Sequence, residues 1–472
     1  MRTKGEIGLR REIGLFDAAM IVAGSMIGSG IFIVGADILR NTGSAGWFLA
    51  VWIIGGIMTL IAATSYGELS GMFPKAGGQY VYLKEAYNPL VAFVYGWSLF
   101  AVIQTGTIAA VGVSFPKFMT YFIPELSEDI VLFSLGNIPV SPAQIVAISL
   151  IFLLTLLNTK GVKGGKIIQT SFTITKVLSI VVLIAAGFYF LKADVWQSNW
   201  ERAWNFQKLS ANGLFSEYPD LLSLGGALAA ALVGAIMSYE AWNNITFVAG
   251  EIKNPKRNIG LSLFLGTAIV ITLYIFLNLM FTAVLPLQDI AGADKDRVGI
   301  AAAAAIFGGY GTAIIAIMIM ISTFGCNNGL ILSGARVYYS MAKDGLFFKK
   351  AASLNPHAVP AYALWAQFVM ASLLCLSGKY GDLLNMITFV AVLFYVLTIL
   401  GIFLLRYKRP QAKRSYKAFG YPILPAFYLI LGSSFCFLLI VYKPEYTWPG
   451  LIISLLGIPI YLLHKSFIKR KS

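Results

Sequence analysis

The chain has 472 residues, of which 58% are hydrophobic and only 12% charged, with a mean hydropathy of +0.76. A soluble protein of this size carries about a quarter of its residues as Asp, Glu, Lys and Arg, so lipid rather than water is expected to cover most of this surface. The net charge of +15 does not read as a nucleic-acid footprint, because the basic residues fall in short loops between apolar runs.

A membrane span needs about 20 mostly apolar residues. Twelve segments qualify, near 15–39, 46–72, 89–121, 142–158, 167–191, 222–248, 259–285, 298–341, 360–378, 381–405, 420–441 and 447–465. The third and eighth are too long for a straight crossing and must tilt or run on beyond the bilayer. The apolar run after Arg10 and Arg11 lacks a small-residue cleavage site and continues through a glycine cluster, so it reads as a first span rather than a signal peptide.

Orientation follows the distribution of Lys and Arg. Arg10 and Arg11, Lys75 and Lys84, Lys160, Lys163 and Lys166, Lys253, Lys256 and Arg257, Lys343, Lys349 and Lys350, the 406–417 cluster and the 465–471 tail all fall on one side. That side is expected to be cytoplasmic, with both termini on it. The opposite loops hold acids such as Glu125, Glu128, Asp129, Glu217, Asp220, Asp289 and Asp294.

The first span contains Gly24, Gly28 and Gly30 with Ser25, Met26 and Ser29. Each glycine weakens a helix by about 1 kcal/mol relative to alanine. Close helix packing is one reading, and Gly24 and Gly28 fit its four-residue spacing; Ser29 and Gly30 do not. The other reading is an unwound segment, tolerated at membrane depth where it lines a cavity or is buried in protein. A half-helix starting near Gly30 would then aim free N–H groups and a positive dipole end at an anion such as a carboxylate.

Lys176 lies inside the fifth span, ten residues past Lys166, or about 15 Å along a helix. Its side chain cannot easily snorkel that far and should face the bundle interior, paired with carbonyls or hydroxyls. It could be a fixed cation standing in for a bound metal ion, a titratable group that carries a proton, or a plain structural lysine.

In the sixth span, residues 237–244 read MSYEAWNN, placing Glu240, Asn243 and Asn244 between two apolar stretches. An ionisable group at that depth is a functional candidate by default; the plain alternative is a glutamate hydrogen-bonded beside an aqueous cavity. Carbonyls freed by a break here could receive an ammonium group. In the eighth span, residues 322–329 (STFGCNNG) form another polar cluster that could face Lys176 or the first break, or simply hold helices together. Spans one and six are interrupted at corresponding points if helices one to five and six to ten form two repeats. Paired interruptions of this kind point to a transporter's substrate site.

Residues 24–32 (GSMIGSGIF), 66–82 (YGELSGMFPKAGGQYVY), 241–255 (AWNNITFVAGEIKNP) and 324–345 (FGCNNGLILSGARVYYSMAKDG) together resemble the amino acid–polyamine–organocation superfamily. The likeness is closest to the L-type amino acid transporter branch and its bacterial relatives, and runs in order from about residue 8 to 410. It implies an all-α membrane protein of 12 transmembrane helices, with a LeuT-like five-plus-five inverted repeat and two extra helices, working by alternating access. The expected division is a cytoplasmic N-terminus (1–14), a first repeat (15–191), a second repeat (222–405), helices eleven and twelve (420–465) and a cytoplasmic tail (466–472).

The resemblance further implies that Ser29 and Gly30, with Gly28, hold a substrate carboxylate through backbone N–H groups, with Ser25 and Met26 beside them. Carbonyls of Met26, Met237, Ser238 and Glu240 would take the α-ammonium, and Asn243 would line the pocket. Lys176 matches the lysine that stands in place of a sodium ion in sodium-independent members. Gln104 and Thr105 are wall candidates from the third span. Glu240 departs from the glycine or aspartate of many relatives.

The expected function is secondary transport of neutral α-amino acids, by sodium-independent exchange or proton symport. The alternative is a carrier of cationic amino acids or polyamines contacted by Glu240. The location expected is the plasma (inner) membrane, as a monomer or weak homo-oligomer. Cys326, Cys375 and Cys436 sit in apolar runs, with no metal-ligand spacing. None lies between helices three and four, so no disulfide-linked heavy subunit is expected. No metal, cofactor or nucleic-acid partner is expected either. His357 and His464 lie outside the bundle core and no nucleophile–base pair stands out, which argues against an enzyme.

Overall fold

In hydrocarbon every backbone polar group must be satisfied within the protein, and a helix does this within one segment. The apolar runs accordingly form helices in the computed structural model, which describes residues 9, 11–136, 138–210, 213–377 and 380–469. Arg10, Arg470 and Lys471, counted above among the basic residues, lie outside the described residues, as do the side chains of Lys163, Lys166 and Lys469.

Among the described residues, eleven helices are long and apolar enough to cross a bilayer, and Ala361–Leu376 is a shorter apolar helix in the place expected for the ninth span. The protein is an all-α membrane protein of about 12 helices. Two small antiparallel hairpins, Phe133–Leu135 with Ile138–Val140 and Lys208–Leu209 with Phe215–Ser216, lie in the loops. Side chains such as Val182 and Phe437, each more than half exposed, face outward where lipid would lie.

Local chemistry starts and stops these helices. Asn88 accepts the N–H of Val91 at 3.0 Å ahead of Pro89, and Ser141 and Gln144 form a reciprocal capping box ahead of Pro142. The helix Gly35–Thr42 ends at Gly43, whose φ of 66° suits glycine, and a Cβ there would lie 2.4 Å from the Gln207 carbonyl oxygen.

The first span consists of Leu15–Met26 and the short turn Gly30–Ile33, with residues 27–29 unwound between them. The sixth consists of Leu221–Ser238 and Asn244–Phe247, separated by residues 239–243, where Ala241 takes a φ of 71°. The third span, Pro89–Met119, contains a π-helical turn at Leu99–Ile103. The eighth, Val298–Lys343, would stretch about 69 Å as one straight helix of 46 residues. It does not run straight, because Gly308 has φ 68° and interrupts it.

Candidate functional site

The break in span one leaves four carbonyls without helical partners, and neighbouring helices supply a donor to each. Lys176 of the fifth span (helix Val162–Tyr189) donates to the carbonyl of Gly24 and, at 2.7 Å, to that of Ile27. Cys326 Sγ lies 3.0 Å from the Ser25 carbonyl. Tyr274 of the seventh span (Pro255–Val284) donates its hydroxyl to Met26 at 3.0 Å, and Ser322 adds a second donor to Ile27 at 3.2 Å. The donors of the same break are left over. Among the described residues, no acceptor meets the N–H groups of Gly28, Ser29 and Gly30. A buried N–H without a partner is costly, so an acceptor from outside the chain could be received here.

Glycine at these positions is a matter of space. A Cβ on Gly30 would lie 2.9 Å from Ser238 Oγ and 3.5 Å from Ser238 Cα, so the two broken helices touch where both unwind. A Cβ on Gly28 would lie 3.2 Å from Cys326 Sγ, and one on Gly24 would overlap Thr173 and Gln169. The Ser29 hydroxyl donates to Ser114 of the third span at 2.6 Å.

Break six leaves carbonyls unpaired as well as the N–H groups of Trp242 and Asn243, among the described residues. The Met237 carbonyl accepts the N–H of Glu240 at 3.1 Å. Among the described residues, the carbonyls of Ser238, Tyr239 and Glu240 accept no hydrogen bond. Unpaired acceptors here therefore lie near the unpaired donors of span one. Trp242 packs on Tyr66 with ring centroids 4.7 Å apart and on Tyr395 at 5.2 Å, which holds the turn in place.

The Glu240 side chain is buried and accepts from the Tyr395 hydroxyl and the Ala241 N–H. It shares a cavity of about 10 Å³ with Gln79, Gln104 and Asn243. Asn243 donates to Gln79 at 3.2 Å, and Gln79 donates to Thr398 at 3.0 Å. Of the two wall candidates on span three, Gln104 lines this cavity, while Thr105 turns its hydroxyl to the Phe100 carbonyl. Ser25 faces span eight, with its oxygen 2.6 Å from where a Cβ on Gly329 would sit.

Access to the breaks differs between the two faces. A cavity of about 610 Å³, lined by Asp37, Arg40, Asp296 and Asn385, reaches Ile33, Val34 and Gly234 beside the two breaks. Arg40 donates to Asp296 across it at 2.8 Å. On the opposite face, Arg336 and Glu251 form a fully buried ion pair at 3.0 Å. There the Ile13 N–H also donates to the Glu251 carbonyl at 3.0 Å, tying the chain's start to the loop after break six. The larger cavity thus lies on the face of Arg40 and Asp296, and the buried Arg336–Glu251 pair on the other.

A sequence profile described as amino acid permease matches residues 13–461. The chain belongs to the amino acid permease family. As an amino acid permease it is an integral membrane transporter, not an enzyme, and it resembles the L-type members. It is 28% identical to the Asc-type amino acid transporter 1 of Mus musculus over 97% of this chain and 82% of that one. It is 29% identical to the serine/threonine exchanger SteT of Bacillus subtilis over 96% of this chain and 97% of that one. The b(0,+)-type amino acid transporter 1 of Mus musculus is 28% identical over 96% of this permease and 88% of its own length.

Several residues of this permease site were not singled out from the sequence. Tyr274 and Tyr395 lie in helices where aromatic residues are common, and Ser114 is one small polar residue among many in span three. Gln79 lay within the motif 66–82, which could have flagged it. Their roles arise from contacts between distant segments.

Proposed function

We propose that this permease carries neutral α-amino acids by sodium-independent exchange or proton symport, binding them across the two helix breaks. The observation that carries this reading is that, among the described residues, free N–H groups at Gly28, Ser29 and Gly30 lie beside free carbonyls at Ser238 and Glu240, with Gly30 and Ser238 in contact. An α-amino acid has the complementary pair of groups, a carboxylate for the first and an ammonium for the second. The Met26 and Met237 carbonyls already have donors, so Ser238 and Glu240 are the main ammonium acceptors in this reading.

Lys176 supports sodium independence. Its ammonium occupies, between the Gly24 and Ile27 carbonyls, a position where oxygen ligands could otherwise hold a cation. The name of the Bacillus relative, an exchanger, favours exchange over symport.

Glu240 favours a neutral substrate over a cationic one, because its carboxylate already has a hydroxyl and an N–H donor within the protein. The proposed pathway alternates between the cavity face and the face sealed by Arg336 and Glu251, with spans one to five and six to ten as inverted repeats. The plasma membrane, cytoplasmic termini and the absence of a disulfide-linked subunit belong to the same proposal. The described cysteines are all buried, which supports the last point.

Uptake of labelled amino acids into proteoliposomes, with sodium replaced by choline, tests it. The expected result is saturable uptake unchanged without sodium and competed only by compounds with a free amine and carboxylate. Strict sodium dependence, or competition by amines lacking a carboxylate, would overturn it.

A further inference from the structure

A groove of about 780 Å³ runs along the outer surface between span two (Ala45–Met72), span seven and the 409–420 loop. It shares no lining residue with the cavities beside the helix breaks and has no part in the transport reading. Its walls include Ile57, Leu60, Phe264 and Phe419. Ile57, Phe264 and Phe419 are 48%, 44% and 70% exposed. At one end stand Lys256 and Arg257, both exposed. Phe264 is eight residues beyond Lys256 on the same helix, so the apolar part extends about 12 Å from the cations.

The groove is held open by the protein's own structure. Its floor is the crossing of spans two and seven at Gly67 and Gly260, where a Cβ on Gly67 would lie 3.5 Å from Gly260 Cα. The far wall is a loop clamped by buried Glu68, which accepts from Arg406 at 2.7 Å, Arg414 at 3.0 Å and the Ala418 N–H at 2.8 Å. Those arginines are satisfied. In contrast, no carboxylate among the described residues pairs with Lys256 or Arg257.

We propose that this groove binds one anionic phospholipid from the surrounding bilayer, its phosphate on Lys256 and Arg257 and an acyl chain along the apolar walls. The occupant follows from the setting. The groove opens on the lateral surface of membrane-spanning helices, where lipid is the neighbouring molecule. One end carries two cations that no carboxylate pairs among the described residues, and these attract anionic headgroups. A zwitterionic lipid would fill the apolar part but would leave that charge poorly matched.

The test uses the purified full chain in an uncharged detergent, titrated with phosphatidylglycerol or with phosphatidylcholine of the same acyl chains. Thermal midpoints and lipid retention in native mass spectrometry are the readouts. Phosphatidylglycerol is expected to raise the midpoint and be retained, more than phosphatidylcholine, while glycerol 3-phosphate has no effect. Substituting K256Q and R257Q should weaken apparent lipid affinity about fivefold per cation removed, with the amino acid-induced shift unchanged. Leu60→Trp, which fills the groove and keeps both cations, should lose lipid retention too, and decides the matter alone should the charge variant fail to fold. Equal retention of phosphatidylglycerol in wild type and variants, equal effects of the two lipids, or reproduction of the shift by glycerol 3-phosphate would each overturn the proposal.

Discussion

The ammonium of Lys176 lies 2.7 Å from the carbonyl oxygen of Ile27, at the point where the first membrane helix unwinds. With its second contact, to Gly24, it joins span five to both the end of the helix and the break. Hydrogen bonds to charged groups contribute about 1.5–3 kcal/mol each. Lys176→Gln is therefore expected to lower amino acid uptake at least about tenfold and to reduce the thermal midpoint. Normal uptake by the variant in proteoliposomes would remove Lys176 from the mechanism.

Gly30 and Ser238 test whether the two breaks form one site. Gly30→Ala places a methyl 2.9 Å from Ser238 Oγ and should raise the KM for uptake about tenfold, with expression and monodispersity retained. Ser238→Gly in the same chain removes the clash and is expected to recover part of the loss. Strict additivity of the two changes in a double-mutant cycle would show that the pair is not coupled.

Glu240 separates the neutral from the cationic reading. Because Tyr395 and the Ala241 N–H already satisfy its carboxylate, Glu240→Gln should leave affinity for neutral amino acids within about fivefold, since a hydrogen bond in this position is worth only about 1 kcal/mol net. Tyr395→Phe is expected to be more damaging, because it leaves a buried carboxylate short of a donor. Thermal-shift titration with neutral and cationic amino acids reads both. Tight binding of a cationic ligand that Glu240→Gln abolishes would reverse the assignment.

The seal opposite the cavity depends on a buried ion pair, Arg336 with Glu251, that is 0% and 1% exposed. Removing one partner of such a pair costs about 3–5 kcal/mol, whereas replacing both with apolar side chains is often close to neutral. Arg336→Met and Glu251→Leu should each lower the thermal midpoint strongly, and the double variant should fall less than either. The double variant is also expected to expose this face to thiol labelling at an introduced cysteine. A midpoint equal to the sum of the two losses would exclude the proposed gate.

Much of this protein was legible without a structure. The apolar runs located the spans because a bilayer admits little except helices, and Gly24, Gly28 and Gly30 marked the first break because glycine weakens a helix wherever it occurs. Glu240 and Lys176 stood out because ionisable groups are rare at membrane depth. Four motifs carried the family.

Only the tertiary structure decided how these signals combine. That Cys326, Tyr274, Ser322 and Lys176 cap the carbonyls of residues 24–27, while the N–H groups of 28–30 find no acceptor among the described residues, could not be read from spacing. Each contact joins segments more than a hundred residues apart, through side-chain directions that no helical period specifies. The same holds for Tyr395 on Glu240 and for the groove beside Lys256 and Arg257. Local composition determines where a helix forms or fails, but which unsatisfied group finds a partner depends on what the other helices bring to it.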